Sequence, residues 1–149
     1  MKRTALLITG LLAAAGVFAQ ATPAGLWRTI DDATKKERSL VRVTDTNGVF
    51  SARIEQLADP AVRDHVCDKC TDDRKGKPIV GLTIMRDVRK DTDSEPADVM
   101  WDGGHILDPE NGKSYKVRLK LLEGGKKLSV RGYVGAPMFG RTQVWIRAE

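Results

Sequence analysis

The 149-residue chain predicts an all-β fold, a small antiparallel up-and-down barrel of about eight strands. Three observations carry this expectation. Short β-rich runs recur, several with period-two alternation, and compact turns separate them. Asn47-Gly48 sits between two such runs, which is the strongest short hairpin signal because both central turn residues must reach positive φ. Gly25-Leu26-Trp27 opens the first run, a Gly-x-Trp at the mouth of a strand. A meander of this number closes naturally into a barrel whose interior holds side chains or one small ligand. Closure also removes exposed sheet edges. A β-sandwich is the alternative.

The chain begins with the three-part layout of a secretory signal. Lys2 and Arg3 form a positive start, Ala5 to Phe18 is largely apolar, and Ala19-Gln20-Ala21 matches a cleavage site, with Val17-Phe18-Ala19 as the second candidate. The apolar run is too short for a spanning helix, which needs about 20 residues. Residues 1–21 are therefore expected to be a cleaved leader, and residues 22–149 a single domain that does not span a membrane. Cleavage removes Lys2 and Arg3 and lowers the net charge from +5 to +3. Lys113, Lys116, Arg118, Lys120, Lys126, Lys127 and Arg131 cluster, but many alternate with apolar residues. That pattern reads as a solvated strand face and argues against a nucleic-acid partner.

Leu26 to Ile30 is the first expected strand. Leu40–Val43 and Val49–Ile54 flank the Asn47-Gly48 turn. The Ile79–Met85 run is the fourth, and Val99–Leu107 the fifth, with Gly103-Gly104 marking a bulge or a close backbone approach. Asp108-Pro109-Glu110-Asn111-Gly112 is a dense turn signal. Tyr115, Val117, Leu119 and Leu121 then alternate with Lys116, Arg118 and Lys120, a half-buried strand. Leu128 to Tyr133 and Thr142 to Arg147 complete the set. The long non-strand stretches are residues 58–77 and roughly 87–98. Pro60 to His65 is expected to make a short helical turn, and Lys90 to Asp98 reads as a mobile loop.

Several segments in this order resemble one family. They are G-L-W-R-T-I-D-D from Gly25, the Cys67-Asp68-Lys69-Cys70 motif, K-P-I-V-G-L from Lys77, and W-D-G-G-H-I-L-D-P-E-N-G-K-S-Y from Trp101. L-S-V-R-G-Y-V-G from Leu128 and F-G-R-T-Q-V-W-I-R from Phe139 follow. Together they resemble the DUF2147 family of exported bacterial proteins over essentially the whole chain after the leader. The resemblance implies a lipocalin-like barrel, a periplasmic or secreted location in a Gram-negative bacterium, and no particular reaction. It further implies that Trp27 plugs one barrel end and that Arg147 covers it through cation–π stacking, with Arg141 as the fallback. The wider lipocalin signatures from the middle of the barrel are absent here.

Cys67 and Cys70 are the only cysteines, and in an oxidising compartment such a pair is expected to form a disulfide. A redox-active pair is the sharper reading, but no β-α-β pattern surrounds it. A metal site would need four nitrogen or sulfur ligands, for which His65, Cys67, Cys70 and His105 are the candidates. Asp31-Asp32, Asp102 and Asp108 are carboxylates that turn chemistry largely accounts for. No nucleophile elbow, phosphate-cradling loop or H-E-x-x-H is present, so an enzyme is disfavoured and no cofactor is expected. Trp101, Tyr115, Tyr133, Phe139 and Trp145 are the candidate ligand-binding aromatics.

The first expectation is thus an exported, non-catalytic protein binding a small apolar or amphipathic molecule, including a lipid, inside the barrel. An envelope protein–protein interaction module is the second, resting on the Cys67–Cys70 loop and the apolar Pro137-Met138-Phe139-Gly140 loop. A redox or metal-handling protein is the third.

Overall fold

The computed structural model describes residues 21–149. The leader expected over residues 1–21 lies, apart from Ala21, outside the described residues. Eight strands form one closed antiparallel barrel in simple sequence order. They are β1 (Gly25–Ile30), β2 (Glu37–Thr46), β3 (Val49–Leu57), β4 (Thr83–Lys90), β5 (Met100–Asp108), β6 (Lys113–Leu122), β7 (Lys127–Tyr133) and β8 (Gly140–Arg147). Among the described residues, no helix is long and apolar enough to cross a membrane.

The alternation seen in the sequence sorts side chains between lumen and solvent. Val117 and Leu119 on β6 and Leu128 and Val130 on β7 face inward, while Lys116, Ser129 and Arg131 remain partly or largely exposed. Asn47 and Gly48 both take positive φ, 53° and 82°, as the β2–β3 turn requires. The expected helical turn at Pro60 is a single 3₁₀ turn, Pro60–Val62, whose first free N–H is taken by the Asp59 side chain.

Two boundaries differ from the sequence reading. Ile79–Leu82 is not strand; Gly81 takes φ 91° there, and β4 begins at Thr83. The strand instead continues to Lys90 through residues expected to be loop. Charge misled here, because residues 86–90 lie on a wall with one wet face. Asp87, at φ 62°, and Gly103, at φ 81°, mark matched irregularities in the facing strands β4 and β5. Gly104 shows why glycine is needed there. A Cβ on it would lie 2.1 Å from the Arg86 carbonyl oxygen and 2.7 Å from the Val88 nitrogen. The doublet therefore permits the close strand approach that it signalled. Asp102 lies within β5, not in a turn, and pairs with Arg118 at 3.0 Å.

A meander sends its connections alternately to the two barrel ends. The β2–β3, β4–β5 and β6–β7 connections share one end with both termini. The β1–β2, β3–β4, β5–β6 and β7–β8 connections share the other. Closure between β1 and β8 is short, with Trp27 opposite Arg147 and Arg28 opposite Ile146.

Candidate functional site

The end that carries the termini is closed by one side-chain stack. Trp27 is fully buried and donates its indole N–H to the Pro23 carbonyl at 2.9 Å. Its cross-strand partner Arg147 lays its guanidinium 4.2 Å from the ring centroid. The same guanidinium donates to the carbonyls of Gly125 (2.6 Å), Ala24 (2.9 Å) and Thr22 (3.0 Å). Burial lowers the Arg147 pKa from its ordinary value, but an arginine stays charged at neutral pH. Gly25 makes the stack possible. Its φ is +137°, and a Cβ would lie 2.5 Å from Arg147 Nη1. Arg141, the fallback, instead pairs with Asp32 at the other end.

The lumen beyond this plug is filled. Val41, Met85, Val117, Leu119 and Leu128 have no exposed surface, and Phe50 packs edge-on against Trp101 with centroids 6.4 Å apart. The barrel is narrow enough for its own side chains to occupy it. Two clefts lie outside the lumen. One, about 270 Å³, opens at the rim beside the plug. Trp101 and Leu121 form its apolar part, Pro96–Val99 one lip, and Gly124 and Gly125 the other. Asp98 and Lys120, also in its wall, form an ion pair at 2.5 Å. The other cleft, about 210 Å³, includes Arg74, Pro78, Val80, Leu82 and Arg86 on the outer wall.

The long β3–β4 connection is tied down by the cysteines and by Arg74. Cys67 and Cys70 form a disulfide, with Cα atoms 5.4 Å apart and no exposed surface on either residue. Cys67 Sγ lies 3.9 Å from the Pro109 carbonyl oxygen, which places the loop against the β5–β6 turn. Arg74, 6% exposed, donates to the Thr83 carbonyl (3.1 Å), the Ser114 hydroxyl (3.2 Å) and the Asp72 carboxylate (2.5 Å). The Arg74 side chain and then its backbone N–H hold the Asp72 pKa at about 2. Asp73 pairs with Arg86 at 2.9 Å. Both arginines in the outer-wall cleft therefore already have carboxylate partners.

The five aromatic candidates do not share one site. Trp101 forms part of the rim cleft. Trp145 is buried opposite Leu128. Tyr115 lies towards the other end, where the Gly132 position faces it and Ile106. Tyr133 is buried at the start of the β7–β8 connection, and Phe139 projects from that connection, 68% exposed. The metal set is not assembled either. His65 sits exposed in the β3–β4 connection, His105 sits exposed opposite Arg86, and both sulfurs are in the disulfide. Among the described residues, no group of three or more His, Cys, Asp or Glu side chains comes together for a metal. Redox exchange needs a sulfur that an attacking thiol can reach, and these sulfurs are covered. Asp31 accepts the Ala33 and Thr34 N–H groups, and Asp108 accepts that of Glu110. Their carboxylates are turn braces. Lys120, Asp98, Leu121 and the glycine lip were not legible as a site, because they come from two separate segments with no shared motif.

A closed eight-stranded up-and-down antiparallel barrel is a lipocalin-like fold. The family profile described as "Uncharacterized protein conserved in bacteria (DUF2147)" matches residues 25–147, and the chain belongs to that family. Its fold is similar to that of protein HP1028 from Helicobacter pylori, described as belonging to the lipocalin family. The TM-score is 0.71 at 20% sequence identity, covering 87% of this chain and 84% of that one. No curated protein matches the sequence.

Proposed function

We propose that this chain is an exported binding protein, periplasmic or secreted, that takes a small amphipathic molecule at the rim cleft without catalysis. The cleft over Trp101 carries this reading. It joins an apolar patch, Leu121 with the edge of the largely buried Trp101, to a charged edge, Asp98 and Lys120. At about 270 Å³ it lies just below the roughly 300–1,000 Å³ of sites that enclose a drug-sized ligand. A single chain or ring therefore fits against Trp101 while the polar part of the ligand stays at the charged edge. Binding thus moves from the lumen to its rim, with the filled barrel acting as a rigid support.

Native mass spectrometry of protein purified from its own cell envelope tests this directly. A retained adduct is expected, and Leu121→Glu should remove it by placing a charge on the apolar surface. Titration with a long-chain fatty acid or a lysophospholipid should shift Trp101 emission, read as the difference between the native chain and Trp101→Phe. An adduct that survives in Leu121→Glu would place the ligand elsewhere. No adduct and no emission change with either probe would remove the reading.

A further inference from the structure

The β7–β8 connection, residues 134–139, carries an apolar tip that its own fold leaves uncovered. Val134 is 65% exposed, Met138 75% and Phe139 68%. The exposure is built in. Arg131 donates to the Pro137 carbonyl at 2.5 Å and to Thr142 Oγ1 at 2.8 Å. Val134 N–H bonds the Phe139 carbonyl at 3.1 Å, and Phe139 N–H bonds that of Ala136 at 3.0 Å. The loop is braced in a shape that turns its large apolar side chains outward. Clustered exposed apolar surface of this kind marks an interaction site.

Exposed lysines lie on the segments next to the tip. The Arg141–Asp32 ion pair ties the β1–β2 connection to the start of β8. Within that connection Asp31 is occupied by backbone N–H groups and Asp32 by Arg141. Lys35 and Lys36 remain exposed, with no ion-pair partner among the described residues. Lys116, also exposed, is the cross-strand neighbour of Tyr133 at the root of the loop.

We infer that this end of the barrel docks shallowly on an anionic phospholipid surface. Met138 and Phe139 enter the interface, and Lys35, Lys36 and Lys116 face the headgroups. Shape favours a bilayer, because a convex apolar tip needs a matching pocket in a protein partner but none in an interface. Charge favours anionic lipid, since basic residues near such a surface add attraction that salt weakens. A few apolar side chains give weaker anchoring than one acyl chain, itself marginal, so both contributions are needed. This surface lies at the barrel end opposite the rim cleft and stands independently of it.

The test is sedimentation of the protein, as it accumulates in its host and with its amino terminus verified by mass, with sized vesicles. One set is phosphatidylcholine alone, and the other contains about a third phosphatidylglycerol. Binding is expected only to the anionic set, and to weaken as salt rises. The double change Met138→Ser with Phe139→Ser should lower the partition at least tenfold. Lys35→Gln with Lys36→Gln should do the same for anionic vesicles, at about fivefold per lysine neutralised. All four positions are exposed, so an unchanged melting temperature serves as the folding control. Leu121→Glu should leave vesicle binding intact, which separates this surface from the rim cleft. Failure of the native protein to bind anionic vesicles, or binding indifferent to both double changes, overturns the inference. So does loss of a protein partner in the Met138/Phe139 variant when the native protein ignores vesicles.

Discussion

Replacing Arg147 by methionine keeps most of the apolar stem and removes the charged fork, so it isolates the plug. Three terms are lost. The guanidinium sits 4.2 Å from the Trp27 centroid, a contact worth about 1 kcal/mol when partly desolvated. Its bonds to the Gly125 and Ala24 carbonyls are part-buried and contribute about 1 kcal/mol each, net of the water that would replace them. The bond to Thr22 is exposed and is given no weight. The total is about 3 kcal/mol. For a barrel of this length the unfolding entropy is roughly 0.26 kcal/mol per kelvin, so the melting temperature should fall by about 11 °C. Arg147→Lys keeps the charge over Trp27 but not the fork, and should recover about a third of the loss. Calorimetry or thermal circular dichroism reads both. Gly25→Ala provides a check on geometry. Its Cβ would meet Nη1 at 2.5 Å, so part of its cost should vanish in the Arg147→Met background, leaving the strain of a positive φ. A loss under about 1 kcal/mol in Arg147→Met, or additive costs with Gly25→Ala, would refute the plug as the tie that closes this end.

Gly104→Ala should cost about 3 kcal/mol, or prevent folding, since its Cβ meets backbone atoms at 2.1 and 2.7 Å that no rotamer change can move. Gly104→Ala protein with native urea stability would disprove the close approach of β4 and β5. Cys67→Ala with Cys70→Ala should lower stability by only about 2 kcal/mol, the chain-entropy value for so short a loop. Both cysteines are buried, so thiol trapping of the native protein in mild reductant should lag far behind trapping in urea. Stability should also fall in acid. Asp72 titrates at about 2 in the fold against 3.8 normally, held first by the Arg74 side chain. A depressed carboxylate contributes above its unfolded pKa, and that contribution disappears as pH drops from about 4 to about 2. Asp31, Glu55 and Asp73 shift in the same direction. Urea midpoints that stay level from pH 5 to pH 2 would contradict this.

Much of the architecture was legible because period-two alternation and turn chemistry are local. Leu119 and Val130 point inward for the same reason that Lys120 and Arg131 do not, and Asn47-Gly48 needs no distant contact to turn. The Gly-x-Trp and the terminal Arg could be read together only through the resemblance. Why glycine precedes Trp27 became visible only with the Arg147 guanidinium beside it. Local patterns failed where packing outweighed them. The apolar Ile79–Leu82 run lies before β4, and the charged residues 86–90 lie within it, because one face of a barrel wall can be wet throughout. The candidate site was the least legible part. Trp101 was named, but Asp98, Lys120, Leu121 and the Gly124-Gly125 lip share no motif or spacing. They meet because a closed meander returns the β4–β5 and β6–β7 connections to one rim. Alternation and turns by themselves determined most of the strands, their order and the inward positions of the clearly alternating β6 and β7. Only closure of the barrel decided that large side chains fill the lumen and that a cleft remains at its edge, since that depends on volumes summed across all eight strands.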